Sequence, residues 1–450
     1  MSFPKDFLWG VATASYQIEG AVDVDGRAPS VWDMLCRKPG AIYEGHTGDE
    51  ACDHYHRYRE DVAIMKELGV GAYRLSTSWS RIQPEGTGAI NEKGLEFYDR
   101  LIDELLAAGI DPWVTLFHWD LPLSLYHRGG WMNPDSPKWF ADYSQIVVDR
   151  LGDRVGNWFT LNEPQCFVGL GLSDGVHAPG DKLRWAEVLL AAHHSLIAHG
   201  KAVQVIRASA KRTPRVGYAP VGSTYMPATN SPADIEAARS MMFSVTQKNQ
   251  WQNAWWMDPV FFGKYPEDGL ELYKGEVPAY TDEEMKIISQ PLDFFGANIY
   301  HGQYVSAGPD GKAKIEPKPL GGPLTAIRWP VTPECLYWGP RFFHERYGSP
   351  IVISENGNSN QDWITLDDTV EDPQRIDFLR RHLRQLKLAA DHGTPIEGYF
   401  QWSLMDNFEW AEGYRERFGL VYVDYPTQRR IPKASYHWYK DVIAQNGANL

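Results

Sequence analysis

The stretch Ile351-Val352-Ile353-Ser354-Glu355-Asn356-Gly357 guides the interpretation of the whole chain. Its β-branched apolar residues predict a strand that is buried on both faces, as strands are in a parallel sheet. The strand leads into the carboxylate of Glu355, and the Asn-Gly pair then predicts a turn. A carboxylate at the C-terminal end of such a strand lies where α/β barrels carry their chemistry. On these residues alone, Glu355 also fits an ordinary turn acid or helix cap.

Further apolar runs with strand-like composition recur along the chain. We predict strands at Leu8–Ser15, Ala72–Trp79, Pro112–Trp119, Trp158–Asn162, Arg215–Val221, Phe294–Tyr300, Ile351–Glu355 and Tyr399–Leu404. Amphipathic helices are predicted at Tyr55–Leu68, Lys93–Ala108, Pro137–Leu151, Ala186–Ala210, Ala233–Trp256, Pro333–Arg346 and Gln374–Ala390. Gly69, Gly109 and Gly393 predict left-handed helix caps. This alternation predicts an α/β fold, the (β/α)8 TIM barrel, in which right-handed crossovers make the strands parallel.

A doubly wound open sheet is the alternative architecture. That fold usually has a glycine-rich phosphate-binding turn after its first strand, and Gly169-Leu170-Gly171 has the wrong spacing for one. No linker or low-complexity block divides the sequence, so we predict a single domain over residues 1–450. The segments Gly302–Pro330 and Asp406–Pro432 are rich in glycine, proline and aromatic residues, and are predicted to be long loops at a pocket rim.

Composition limits the kinds of partner. The 44 Lys and Arg against 58 Asp and Glu give a net charge of −14, which opposes binding to nucleic acid or to anionic membranes. Cys36, Cys52, Cys166 and Cys335 form no C-x-x-C pair, which favours reduced thiols in a cytoplasmic protein. No apolar run is long enough to predict a transmembrane helix. The sequence does not indicate whether the protein is a monomer or a homo-oligomer.

A second carboxylate repeats the pattern of the first. Thr160-Leu161-Asn162-Glu163-Pro164 again places an apolar run before an Asn-Glu pair and a breaker, here at the end of the predicted fourth strand. In a closed barrel, Glu163 and Glu355 can face each other across the mouth. Two opposed carboxyls are the equipment of glycoside hydrolysis, in which one protonates the leaving oxygen and the other attacks the anomeric carbon or activates water. Two unrelated turn acids remain the alternative.

More polar and aromatic residues lie at the same ends of the predicted strands. They are Gln17, Arg74, His118, Trp119, Asn298, Tyr300 and Trp402. Each one alone fits a packed or backbone-bonded residue, but together they offer the donors, acceptors and flat apolar faces that sugars require. The pairs His54/His56 and His193/His194 lack the spacing of a helical zinc site. No metal or cofactor is therefore implied.

Motifs in a fixed order give the sequence a resemblance, over nearly its whole length, to family 1 of the glycoside hydrolases, the retaining β-glucosidases and their relatives. They are Phe7-Leu8-Trp9-Gly10, Ser15-Tyr16-Gln17-Ile18-Glu19-Gly20, Tyr73-Arg74-Leu75-Ser76, Ser78-Trp79-Ser80-Arg81, Phe117-His118-Trp119-Asp120, Leu161-Asn162-Glu163-Pro164, Asn298-Ile299-Tyr300, Ser354-Glu355-Asn356-Gly357 and Trp402-Ser403-Leu404-Met405-Asp406-Asn407-Phe408-Glu409-Trp410. Each motif is weak alone, whereas their order on this strand pattern is specific.

The resemblance implies catalytic roles for four residues. Glu355 would be the nucleophile and Glu163 the general acid and later the base. Arg74 and Tyr300 would keep Glu355 ionised by lowering its pKa. The carboxyls of a retaining pair lie roughly 5–5.5 Å apart. The expected substrate-binding residues are Gln17, His118, Trp119, Asn162, Asn298, Trp329, Trp402, Glu409, Trp410 and Phe418, with Trp402 beneath the cleaved sugar and Trp329 beside the next one.

The implied activity is that of a retaining exo-β-glycosidase. It would release terminal β-D-glucosyl residues from cello-oligosaccharides and from aryl or alkyl β-glucosides through a covalent glycosyl-enzyme, with some β-fucosidase and β-galactosidase activity. A 6-phospho-β-glucosidase is the alternative enzyme, which the charge of Glu409 opposes. A non-catalytic sugar-binding barrel is the alternative outside enzymes. Gln165, Arg328 and Ser354 depart from the commoner family residues, and the first two leave the preferred leaving group open.

Overall fold

The computed structural model describes residues 2–309 and 312–450. Its parallel strands close into a barrel with the chain-order strands β1 (Leu8–Ala12), β2 (Ala72–Ser76), β3 (Asp111–Phe117), β4 (Asn157–Asn162), β5 (Arg215–Ala219), β6 (Phe294–Asn298), β7 (Ile351–Asn356) and β8 (Ile396–Trp402). Each strand pairs in parallel with the next, and β8 pairs with β1. The predicted (β/α)8 TIM barrel is confirmed.

Helices cover the outside of the barrel and its rim. They are α1 (Ser15–Ile18), α2 (Val31–Cys36), α3 (His54–Leu68), α4 (Trp79–Ile82), α5 (Glu92–Ala107), α6 (Leu123–His127), α7 (Ser136–Leu151), α8 (Trp185–Ser209), α9 (Pro232–Phe243), α10 (Asn253–Phe262), α11 (Glu267–Leu272), α12 (Asp282–Ile288), α13 (Cys335–Tyr347), α14 (Pro373–Asp391) and α15 (Ala434–Ala444). The predicted caps Gly69, Gly109 and Gly393 have φ angles of +84°, +78° and +93°, which confirms their left-handed conformation.

One predicted helix is wrong. Ala233–Trp256 is two helices, α9 and α10, separated by residues 244–252. Hydrogen bonds to other parts of the chain stabilise the non-helical segment between the two helices. The Val245 N–H donates to the Asp268 carboxylate at 2.7 Å. The Asn253 side chain donates to the carbonyls of Ser223 and Met242, at 2.7 and 2.9 Å. These contacts are non-local, so the helical periodicity of the sequence does not reveal them.

The two predicted long loops also contain regular structure. Gly302–Ala307 pairs with Thr224–Pro227 and with Ala313–Ile315 in a small sheet, and Val421–Asp424 pairs with Arg429–Pro432. Six of the eight predicted strands extend two or three residues too far at the rim, as in Ala72–Trp79, because the chain stays buried past the ladder, where it enters rim helices such as α4.

Aromatic rings fill the barrel interior. Trp113 lies at the centre, with ring centroids 5.9 Å from Phe159, 5.2 Å from Phe294 and 5.2 Å from Phe400. The Arg74 guanidinium lies 4.8 Å above the Phe159 ring, on the side of the C-terminal strand ends. The barrel is therefore a packed core whose upper layer carries the polar residues.

Among residues 2–309 and 312–450, every helix is too short or too polar to cross a membrane. The single domain over residues 1–450 stays a prediction.

Candidate active site

Glu163 and Glu355 lie at the C-terminal end of the barrel. In the ladder between β7 and β6 the register shifts between Ile353 and Glu355, and in the ladder between β4 and β5 it shifts between Phe159 and Asn162. Such irregularities change the direction in which side chains point. Glu163 has a φ of +42°, a left-handed conformation that costs a non-glycine residue about 1–2 kcal/mol. The backbone is thus irregular at both carboxylates, as is common in active sites.

Glu355 is held by a cation and a hydroxyl. Arg74 forms an ion pair with its Oε1, and both side chains are almost fully buried. The Tyr300 hydroxyl donates to Oε2 at 2.7 Å. Arg74 also donates to the Ser354 carbonyl at 3.2 Å, which fixes the guanidinium against β7. Both carboxylate oxygens of Glu355 therefore have strong donors.

Glu163 has weaker partners. The Asn298 amide donates to Oε1 at 2.8 Å, and the Cys166 thiol donates to Oε2 at 3.3 Å. No Lys or Arg bonds to this carboxyl in the described parts of the chain. The contact with Cys166 is not among those predicted from the sequence. A proline after a Glu at a strand end favours a helical turn, which brings residue i+3 alongside and was the signal available.

Asn162 connects the surroundings of the two carboxyls. Its Oδ1 accepts from Arg74 at 2.6 Å and from Asn298 at 3.0 Å, while its Nδ2 lies 3.1 Å from Nε2 of His118. Since Oδ1 is the acceptor for Arg74, Nδ2 donates to His118, and Nε2 of that ring is the acceptor. A continuous buried network thus runs from Glu355 through Arg74, Asn162 and Asn298 to Glu163.

The two carboxyls differ in proton affinity. Burial and the nearby charge of Glu355 raise the pKa of Glu163 to about 8. Burial also raises the pKa of Glu355, although Arg74 and the Tyr300 hydroxyl oppose this rise. Arg74 and Tyr300 thus lower that pKa as expected, but desolvation is the largest contribution and makes the net shift upward. The opposing donors make Glu355 the first of the two to ionise.

A cavity of about 760 Å³ opens above these residues. Its lining includes most of the expected site residues: His118, Trp119, Glu163, Asn298, Tyr300, Trp329, Glu355, Trp402, Glu409, Trp410 and Phe418. Gln17, Arg74 and Asn162 are buried behind the lining and contact it through hydrogen bonds. The structure thus brings all fourteen predicted residues to one site.

Three of these fourteen residues have a buried polar atom with no hydrogen-bond partner in the described residues: Oε1 of Gln17, Nε of Arg74 and Nδ1 of His118. Gln17 uses its Nε2 on Asn407 and on the Phe408 carbonyl, at 3.0 and 2.9 Å, which leaves Oε1 as an acceptor. Burial and Arg74 lower the pKa of His118, so that its ring is neutral. Buried polar atoms are normally paired, so Oε1 of Gln17 and Nδ1 of His118 are suited to bind the hydroxyls of a ligand.

Aromatic rings form the walls of the cavity. The Trp119 and Trp410 centroids are 4.5 Å apart, and the His118 ring stacks 5.9 Å from Trp402. On the other side, Trp329 lies 5.1 Å from Tyr300. Flat apolar faces beside donors and acceptors match the two kinds of surface of a sugar ring.

The segment that separates α9 and α10 forms one wall of the cavity, which we call the far wall. Ser244, Thr246, Gln247, Asn249, Trp251 and Gln252 all line the cavity. This wall is not predicted from the sequence, because the helical periodicity of Ala233–Trp256 assigns the segment to a helix. Gln165 is buried and exchanges two 3.3 Å hydrogen bonds with the backbone of Val221, a lining residue. Arg328 is exposed between Ile327 and Trp329, which also line the cavity.

The histidine pairs considered for metal binding lie elsewhere. His54 bonds to Asp61 at 2.7 Å, His193 to the Tyr265 hydroxyl at 2.9 Å and His194 to a backbone carbonyl at 2.9 Å. In the described residues, no group of three or more His, Cys, Asp or Glu has an arrangement that could hold a metal ion.

Comparison with known proteins agrees with this geometry. Residues 1–448 match the sequence model of the family described as Glycosyl hydrolase family 1. It is 46% identical over 448 residues to Beta-glucosidase A of Thermotoga maritima, covering 99% of this chain and 98% of that protein. It is 45% identical to Beta-glucosidase A of Acetivibrio thermocellus, covering 99% of each.

Solved structures give the same result. The Thermotoga maritima β-glucosidase in complex with glucoimidazole matches with a TM-score of 0.91 at 45% identity, covering 99% of both chains. The same enzyme in complex with galacto-hydroximolactam matches with a TM-score of 0.90, again at 45% identity and 99% coverage of both. Similarity of this extent, together with the barrel and its buried carboxyls, defines a glycoside hydrolase. The chain belongs to glycosyl hydrolase family 1.

Proposed function

We propose that the protein is a retaining exo-β-glucosidase. The observation that carries the proposal is the pair Glu163 and Glu355 at one cavity, with a cation and a phenol on one carboxyl and an amide and a thiol on the other. Unequal surroundings of this kind separate the protonation states of two carboxyls, which is what an acid and a nucleophile require. The relatives named as β-glucosidases support the sugar.

In the first step, the Glu355 carboxylate attacks the anomeric carbon while Glu163 protonates the leaving oxygen. The bond from the anomeric carbon to the leaving group breaks, and a covalent glycosyl-enzyme forms at Glu355. The charge of Glu355 then disappears, and with it one of the two main causes of the raised pKa of Glu163. Glu163, which has given its proton to the leaving group, therefore stays ionised and can accept a proton from the water that releases the sugar.

An unphosphorylated sugar fits the cavity best. None of the described lining residues is Lys or Arg, so no permanent cation faces a bound 6-phosphate. The repulsion expected from Glu409 is a weaker argument, because burial and the neighbouring carboxylates raise the pKa of that residue well above its usual range. The lack of a cation therefore replaces it as the reason to disfavour the phospho-β-glucosidase.

The far wall supports a sugar leaving group. Trp251 is 39% exposed, while its neighbours Gln250 and Asn253 are buried and anchor the segment. An aromatic face on a fixed backbone, beside the polar side chains of Gln247 and Asn249, suits the next sugars of a cello-oligosaccharide. β-Galactosides are proposed as further substrates, which is consistent with the galacto-hydroximolactam bound by the Thermotoga maritima enzyme.

Replacing Glu355 by glycine tests the proposal directly. We expect Glu355→Gly to lose hydrolysis of an aryl β-glucoside, and added azide to yield the glycosyl azide of inverted configuration. Glu397→Gln is the matched control: Glu397 also lies in a barrel strand and pairs with an arginine, Arg215, but at the opposite end of the barrel. More than trace activity in Glu355→Gly would overturn the nucleophile assignment.

The wild-type protein separates the alternatives. Turnover of the aryl glucoside but not of its 6-phosphate is expected. Turnover of only the 6-phosphate would favour the phospho-β-glucosidase, and sugar binding without turnover would favour a non-catalytic barrel.

We also infer a cytoplasmic location. The thiols of Cys36, Cys52, Cys166 and Cys335 are free and buried, which supports a reducing compartment. Cell fractionation of the native host checks it.

A further inference from the structure

Ser354 precedes the proposed nucleophile on β7 and is fully buried. Its hydroxyl donates to Oδ1 of Asn298 at 2.6 Å. The amide nitrogen of Asn298 in turn donates to Glu163 Oε1 at 2.8 Å and to Asn162 Oδ1 at 3.0 Å. Both hydrogens and the oxygen of that amide are therefore engaged, and Ser354 is the donor to its oxygen.

This chain of bonds determines which way the Asn298 amide faces. Turning the amide over would place its oxygen against Oε1 of Glu163 and Oδ1 of Asn162, two acceptors. It would also deprive the Ser354 hydroxyl of the acceptor it has here. A hydroxyl that donates to an amide oxygen further polarises the amide N–H and strengthens the bond that this N–H donates.

We propose that Ser354 is a positioning residue that acts through Asn298 to control the protonation of Glu163. Asn298 keeps Oε1 of Glu163 as an acceptor, so the exchangeable proton is carried by Oε2, on the side of the Cys166 thiol. The inference rests on the proposed function, because it concerns the acid and base of that reaction. No covalent step is involved, and Ser354 keeps its own proton.

The main chain of Ser354 serves the other carboxyl. Its carbonyl accepts from Arg74, the partner of Glu355. A side-chain substitution leaves that carbonyl and its bond to Arg74 in place. Asn298 also helps to lower the pKa of Glu355. Arg74 and the Tyr300 hydroxyl act on that carboxyl as well, so the larger effect is expected at Glu163. Gly296 lies beside the hydroxyl: a Cβ at Gly296 would be 3.2 Å from Ser354 Oγ.

The test compares two β-branched replacements of nearly equal shape, Ser354→Thr with a hydroxyl and Ser354→Val without one. The alkaline limb of the kcat/KM profile reports the pKa of the general acid in the free enzyme. Without the donor, the Asn298 N–H stabilises the Glu163 carboxylate less, so its pKa rises. We expect the alkaline limb of Ser354→Val to move up by about 0.5 pH unit, and that of Ser354→Thr to stay at the wild-type position.

The acidic limb, which reports Glu355, should move less than the alkaline limb in Ser354→Val. Ser144→Ala is the matched control: Ser144 is also fully buried, and its hydroxyl donates to a backbone carbonyl at 2.7 Å within α7. If Ser354→Val does not fold, Ser354→Ala is measured against Ser144→Ala with the same expectation for the alkaline limb.

The inference would be overturned if the alkaline limbs of Ser354→Thr and Ser354→Val coincided. It would also be overturned if the alkaline limb of the control Ser144→Ala shifted as much as that of Ser354→Val. The outcome is distinct from failure of the proposed function. An aryl β-glucoside profile with no alkaline limb in the wild type, or with one that persists in Glu163→Gln, would overturn the function itself.

Discussion

Replacing Tyr300 by phenylalanine removes one hydroxyl from the nucleophile and leaves the ring in place. The lost bond is the 2.7 Å donation to Oε2 of Glu355, while Arg74 still pairs with Oε1. Burial and the nearby carboxylates raise the pKa of Tyr300 well above its usual range, so the phenol is protonated and donates throughout the working pH range.

The size of the effect follows from the chemistry of that bond. A hydrogen bond to a charged group contributes about 1.5–3 kcal/mol, and 1.36 kcal/mol corresponds to one pKa unit. Removing the donor disfavours the carboxylate, so the pKa of Glu355 rises. Since catalysis requires the carboxylate, the acidic limb of kcat/KM should move up by about 1–2 pH units. At a pH below the acidic limbs of both the wild type and Tyr300→Phe, the variant should therefore lose about tenfold or more of its kcat/KM.

The assay is the pH profile of kcat/KM for an aryl β-glucoside, measured for both proteins. Tyr304→Phe is the matched control, because it removes a 2.8 Å tyrosine–glutamate bond, to Glu334, from the strand Gly302–Ala307. An unmoved acidic limb in Tyr300→Phe would refute the assigned role of the hydroxyl. An equal shift in Tyr304→Phe would show that the effect is not local.

Three further predictions concern the acid, the far wall and the backbone. Glu163→Gln should abolish the alkaline limb near pH 8. It should slow glycosylation by substrates with poor leaving groups by about 10²–10⁴-fold, and glycosylation by activated aryl glucosides only a little. Equal losses for the two kinds of substrate would contradict this prediction. Trp251→Ala should reduce kcat/KM for cellotriose more than for the aryl glucoside, whereas Trp363→Ala, which removes a tryptophan that is 70% exposed, should change neither. Gly357→Ala should destabilise the fold by about 1–3 kcal/mol or more, because its Cβ would meet a β8 carbonyl oxygen at 1.8 Å. Gly71→Ala meets nothing closer than 3.6 Å and should unfold near the wild-type temperature in a thermal melt.

The barrel was predictable because its signal is local and repeated. Buried strands with both faces covered read as apolar runs, and the helices between them keep a helical period. The break between α9 and α10 was not predictable, since the bond from Val245 to Asp268 and those of Asn253 depend on chain folding. That error concealed the wall that carries Trp251.

Within the site, motif order predicted which side chains meet, but not every contact between them. The convergence of Arg74, Tyr300 and Glu355 follows from their places at strand ends. The net direction of the pKa shift of Glu355 depends on how completely the carboxyl is removed from water, which a sequence does not state. Gly357 also has a different reason from the expected turn: it allows the close approach of the β8 backbone.

The aromatic rings that fill the barrel determine by which route substrate and products enter and leave the cavity. Trp113, Phe159, Phe294 and Phe400 occupy the interior beneath Arg74, so the floor of the cavity is sealed by packed rings. Substrate, water, leaving group and released sugar then share the mouth above the carboxyls. Released sugar that lingers there occupies the place of the next substrate, and its inhibition should be competitive. The packing that stabilises the barrel thereby also shapes the kinetics of turnover.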